Sequence, residues 1–382
     1  MARGSRGAAL LAALGLTLPG LAAAGEGVWT SQGPNADFVS ALAVDTSQSG
    51  TVFAATYDSS DGHTLQGDLF QSEDGGAAWR HLVRAPEGTF VLSLAVDPKT
   101  RLVYGLLNSG DLFQSSDGGA TWRLRHAFGV GPGEILVDPR DPETLYLFGS
   151  VCDLGPGGPE AGCKSPHVAT IWRQRQDHDW ETLSIGGAGF VTALAIDSAT
   201  SGRLYAGTDT GLRHTTDDAR HWESLDRGQE GGCPSVSAVA VGAGGTVIVG
   251  YFRLYDGIIG CGGVYRSADA GATWLPVTIL PFHATSFAVD PMDAKNVWVA
   301  AGDVIFLNPA VYRSADGGET WLPVNAGLEG YRAQQLAIEA GGRRLYASTL
   351  AGVFDLEVVD PRQPVLPAEG PHPSPRPVNP RP

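Results

Sequence analysis

Five carboxylates in this chain stand at the same place in one short motif, so a role given to one belongs to all of them. The strings are SEDGGAAW (Ser72–Trp79), SSDGGATW (Ser115–Trp122), SADAGATW (Ser267–Trp274) and SADGGETW (Ser314–Trp321), with a worn copy, TTDDARHW (Thr215–Trp222), and a shorter RQDHDW ending at Trp180. An aspartate two residues after a hydroxyl and beside glycines could serve acid–base chemistry. It can equally accept backbone N–H groups of a tight turn, while the glycines allow positive φ and the tryptophan buries a large apolar face. One active site cannot use five equivalent carboxylates. Asp74, Asp117, Asp217, Asp269 and Asp316, with Trp79, Trp122, Trp222, Trp274 and Trp321, therefore read as structural.

The residues that do not repeat are the better candidates for function. Asp209 follows a strand-like run in LYAGTDTGL, where an aspartate most simply forms the turn between two strands. Phe38, Phe90, Glu134, Phe190, His283 and Arg332 mark the starts of successive apolar runs, where aromatics beside an acid, a histidine and an arginine could hold a sugar or a peptide. Arg253 and Asp256 lie in an insertion, FRLYDGIIGCGG. The four cysteines bracket two segments and contain no CxxC pair, so Cys152 with Cys163 and Cys233 with Cys261 are expected as disulfides rather than as metal ligands. No residue pattern calls for a metal or a cofactor.

The elements that must position these residues are strands. Each unit has an apolar alternating run ending in an acid (VSALAVD, VLSLAVD, VTALAID), then a second run (TVFAAT, RLYAGT, NVWVAA). A third (DLFQS, GVYRS, AVYRS) enters the motif, and a fourth starts at its Trp. First runs end near Asp45, Asp97, Asp138, Asp197, Gly242, Asp290 and Glu339, giving seven units of roughly 40 to 60 residues, the size of propeller blades. The fold class expected is all-β, a seven-bladed β-propeller with four-stranded antiparallel blades. The seventh unit has three strands and no motif. Val28–Gln32 is expected to supply its fourth and close the ring, leaving no open sheet edge.

These motifs, at this place in the blade, resemble the Asp-box or BNR repeats of sialidases. Similar repeats occur in two-domain xyloglucanases, sortilin-like receptors and the exported propellers that help assemble photosystem II. The resemblance runs from about Val28 to Val359 and implies the fold far more than an activity, since such propellers include both enzymes and pure binders. A sialidase would carry an Arg-Ile-Pro signature in its first blade. The nearest string here, YFRLYD (Tyr251–Asp256), lacks the proline and lies in the fifth. GGAGFVTALAID followed by LYAGTDTGL is similar to the xyloglucanase segment that presents a catalytic aspartate, which implies Asp209, yet those enzymes place the second aspartate on a second propeller.

Strand alternation puts the Asp-boxes and the first-to-second turns on one face of the disc, and the second-to-third and blade-to-blade loops on the other. The second face carries the insertions, at Asp58–Gly67, Cys152–His167 and Phe252–Gly263, and is where binding is expected. Residues 1–24 combine Arg3 and Arg6, an apolar run and small residues at Ala22 and Ala24, which reads as a signal peptide for export with no membrane span in the mature chain. Residues 25–360 form the propeller. Residues 361–382 carry nine prolines and read as an extended tail. A formal charge of −15 leaves no phosphate-binding stripe and argues against nucleic acid as a partner. The reading is a monomeric, non-catalytic scaffold for a protein or a glycan, with a glycoside hydrolase as the alternative.

Overall fold

The computed structural model describes residues 28–34, 38–58, 66–129, 131–151, 167–176, 178–225, 234–255, 258–277, 283–302, 309–328 and 331–358; for 151, 253–255, 258–261, 302, 309 and 310 it describes the backbone alone. The segments read as a signal peptide and a tail lie outside these residues, as do Cys152, Cys163, Cys233 and Asp256. The side chains of Cys261 and Arg253 are likewise not described.

Seven four-stranded antiparallel sheets follow one another along the chain, six of them in simple sequence order from the inner strand outward and the last with an outer strand from the N-terminus. The inner strands are Val39–Val44, Val91–Val96, Pro132–Val137, Val191–Ile196, Ser235–Val241, Ala284–Val289 and Gln335–Ile338. The second strand of a blade has another blade on both sides, so it is apolar without alternation. Val103–Leu107 and Leu204–Thr208 are buried throughout, while the outer strands Arg80–Arg84 and Arg123–Ala127 are exposed except at their centres.

The core is divided into seven clusters, one at each blade-to-blade interface. The tryptophan ahead of each outer strand packs into the cluster its blade shares with the preceding blade: Trp79, Trp122, Trp180, Trp222, Trp274 and Trp321 fill six of the seven. The seventh place belongs to Trp29. Thr30–Gly33 pairs antiparallel with Gly352–Glu357, completing the last blade as expected. Trp29, just ahead of that strand, is 2% exposed in the cluster between blades 6 and 7 and donates its indole N–H to the carbonyl of Val324 at 2.6 Å. The N-terminal strand thus brings its own tryptophan to a blade that lacks the box.

The boxes are turn-builders on one face. In the second blade the Ser115 hydroxyl donates to Asp117 at 2.8 Å and accepts the Gly119 N–H at 2.8 Å, while Asp117 accepts the Thr121 N–H at 2.8 Å. The same three bonds recur around Asp74, Asp269 and Asp316. The worn box keeps them too, around Asp217, although Asp218 and Ala219 take positive φ values of 67° and 66° where the other boxes have glycines, apart from Ala270 at the first of these places. The acids ending the inner strands cap the neighbouring turns: Asp45, Asp97, Asp138, Asp197 and Asp290 each accept the N–H of the residue two further on, at 2.8–2.9 Å. Box and first-to-second turn meet directly, Gly75 donating its N–H to the Gly50 carbonyl at 2.9 Å.

One expected loop is a strand pair. Val247–Tyr255 and Ile258–Ser267 stay paired out to Tyr255 opposite Ile258, so the described part of the insertion at Phe252–Gly263 extends the blade's second and third strands.

Candidate functional site at the loop-rich mouth

The side chains that open the inner strands gather around the channel mouth on the face away from the boxes. Phe38 opens blade 1 and Phe90 blade 2. Both lie against Tyr57, with ring centroids 4.6 and 4.8 Å from it, so that Tyr57 bridges the two blades. Phe190 opens blade 4 and meets His167 at 4.4 Å, and His283 opens blade 6 and meets Phe252 at 5.2 Å. Arg332, opening blade 7, reaches Nδ1 of His283 at 3.4 Å and has no carboxylate partner among the described residues. Burial, with the Arg332 charge adding to it, pushes the His283 imidazole down to about 4, so it is neutral near pH 7 and Arg332 carries the positive charge there. Most of these rings are half-buried; Phe190 is 41% exposed.

Tyr57, His167 and Phe252 were not singled out by sequence. Tyr57 ends a second strand, and His167 and Phe252 sit beside insertions. Their signal lay in being the residues opposite the strand starts across the face, which requires the ring geometry.

Asp209 is held in a turn. Its carboxylate accepts the backbone N–H of Gly189 at 2.9 Å and of Phe190 at 3.2 Å. In blade 2 the Asn108 amide oxygen stands at the same place and accepts the Phe90 N–H at 3.1 Å. Both side chains offer an oxygen that accepts the N–H at the start of an inner strand and so fix that start.

Glu134 does not open its blade. The inner strand starts at Pro132, and Glu134 lies two residues further in, facing the channel. Six of the seven inner strands carry a β-bulge near their start, at Ser40, Leu92, Gly133, Thr192, Ser237 and Thr285. Bulge hydroxyls tie blades together: Ser40 donates to the Val91 carbonyl at 2.7 Å and Thr192 to that of Val236 at 2.8 Å. The next residue does so in the other sense, Ser93 accepting the Ile135 N–H at 3.1 Å, Ser286 that of Leu336 at 3.1 Å and Gln335 that of Leu42 at 3.0 Å. Glu134 occupies this position in blade 3. The structure therefore separates the sequence candidates into an aromatic and cationic rim (Phe38, Phe90, Phe190, His283, Arg332), a turn cap (Asp209) and a channel carboxyl (Glu134).

No family model matches the chain, and no curated protein matches it. Among solved structures, it is similar to YCF48 bound to D1 peptide, with a TM-score of 0.60 at 14% identity over 87% of this chain and 95% of that one. It is similar to YCF48 from Cyanidioschyzon merolae, with a TM-score of 0.59 at 15% identity over 87% and 98%. An ancestral GH74 enzyme matches with a TM-score of 0.66 at 15% identity over 85% of this chain, but this corresponds to only 45% of the enzyme. At these identities the likeness is one of fold: a seven-bladed propeller shared with a peptide-bound protein and with part of an enzyme chain.

Proposed function

We propose that this chain is an exported, non-catalytic propeller that binds a segment of another protein across the mouth of its loop-rich face. The observation that carries this reading is the rim itself. Aromatic rings at the starts of blades 1, 2 and 4 and Arg332 at blade 7, which has no carboxylate partner among the described residues, surround one opening, while Asp209, the catalytic candidate of the sequence, is held in a turn. Aromatic faces and a lone guanidinium suit an extended peptide with apolar side chains and a carboxylate. Likeness in fold to YCF48 bound to D1 peptide supports a protein rather than a glycan as the ligand, and export follows from the reading of residues 1–24 as a signal peptide.

The rival is glycoside hydrolysis, which needs two carboxyl groups flanking the scissile bond. A panel of polysaccharides and aryl glycosides incubated with the full chain tests it. No turnover is expected. Turnover that Asp209→Asn abolishes would replace binding with catalysis.

A further inference from the structure

Beneath the rim, the inner strands enclose a central channel with a cavity of about 400 Å³, lined from blades 1, 2, 3, 6 and 7. Its wall is polar but almost without charge. Across all seven inner strands Glu134 is the only ionisable side chain, and the lining residues around it are neutral: Ser40, Ser93, Thr285, Ser286 and Gln335 among them. Ser93, Ser286 and Gln335 each hold a backbone N–H of the next blade through an oxygen that keeps a second lone pair for the lumen.

Glu134 breaks this pattern. Placed where those three side chains bridge blades, it makes no hydrogen bond and no ion pair with any described residue. Its surface is open to the lumen, yet the ring surrounds it on all sides. That withdrawal from bulk water pushes its carboxyl up to about 7, and lumen water moderates the shift without reversing it. Open to the lumen and without a partner among the described residues, the carboxyl is placed to accept a donor that enters the channel.

We infer that the channel is a binding site for a small organic cation, an ammonium or guanidinium group seated on Glu134 with its remaining N–H donors on the surrounding hydroxyl and amide oxygens. An anion is disfavoured because no cationic side chain lies in the inner strands. The charged residues lie at the strand ends: Arg332 at the loop-rich mouth, and Asp45, Asp97, Asp138, Asp197, Asp290 and Glu339 at the other, where Arg101, Arg140 and Arg203 pair with Asp45, Asp138 and Asp197. The net charge of −15 on the chain favours a cation over an anion near it. The cavity admits an alkylammonium or alkylguanidinium ion, whereas a metal ion is poorly served by one carboxylate.

Titration calorimetry of the full chain with n-butylammonium and methylguanidinium chloride tests the site. Saturable one-to-one binding is expected at pH 8. It should weaken roughly 30-fold by pH 5.5 as a carboxyl titrating near 7 takes its proton. Glu134→Gln, which keeps the side-chain volume, should abolish binding and its pH dependence without lowering the melting temperature, and n-butanol should not bind. Absence of saturable binding at pH 8, equal binding by a folded Glu134→Gln, or equal binding of n-butanol would overturn the inference. The rim is not needed for this site, so its failure would leave the proposed function standing.

Discussion

Asp209 accepts the backbone N–H of Phe190 at 3.2 Å, and that bond places one of the rim aromatics. On the proposed reading, the carboxylate serves the rim through the strand start it fixes. Asp209→Asn keeps an acceptor, as Asn108 does in blade 2, and should change stability by less than about 1 kcal/mol. Asp209→Ala leaves two N–H groups without a partner and should cost about 1–3 kcal/mol by urea denaturation. Equal and severe losses in both variants would show that the charge, not the acceptor, matters.

Ring closure rests on Trp29. It fills the interface that the missing seventh box leaves open, so Trp29→Ala should cost about 3–5 kcal/mol and expose the third strand of the last blade, Gly352–Glu357, to hydrogen exchange. Unchanged exchange of Gly352–Glu357 would mean that the ring closes without the N-terminal strand's anchor.

The boxes confer an acid dependence whose sign is fixed by their hydrogen bonds. Donation from the side chain and backbone of Thr121, and from Ser115, holds Asp117 down to about 2; Thr273 and Ser267 do the same for Asp269. Folded values below the unfolded one mean that this contribution is complete above about pH 4 and is lost as pH falls from there toward 2. Urea midpoints measured across that interval should drop, and Asp117→Asn should flatten part of the slope. Ser115→Ala, which strands the Gly119 N–H, should cost about 1–3 kcal/mol at pH 7.

Glu134 works in the opposite direction. Its folded value lies above the unfolded one, so its effect favours the fold at low pH and is lost as pH rises from the ordinary glutamate range through about 7. Glu134→Gln should therefore be more stable than the parent at pH 8 and indistinguishable at pH 4, read as melting temperatures.

Much of the architecture was legible because the repeat is local. Hydroxyl, carboxylate, glycines and tryptophan build one turn among themselves, and alternation within each run sets which face is buried, so seven blades and the closing strand could be counted along the chain. The site was less legible because it is made between blades. Tyr57 is the last inward residue of a strand until the ring sets it between Phe38 and Phe90. Glu134 read as the start of its blade because Gly131, Pro132 and Gly133 offer no aromatic to mark the true one. Phe252–Gly263 read as a loop because its glycines resemble turn residues, whereas Gly262 and Gly263 pair with Phe252 and Tyr251 in the sheet.

Recognition at the rim predicts a division between faces. Tyr57→Ala removes the ring shared by Phe38 and Phe90, and Arg332→Ala removes the cation. The exposed Glu73 and the Arg343 beside it on the box face serve as controls. The most direct measurement is binding of the full chain and these variants to a peptide array and a glycan array, followed by titration of the strongest peptide. Tyr57→Ala and Arg332→Ala should each weaken that peptide at least about ten-fold while both variants remain folded by circular dichroism at the assay temperature, and Glu73→Gln and Arg343→Gln should bind as the parent does. Retention of binding by the rim variants, or its loss in the box-face variants, would contradict the account.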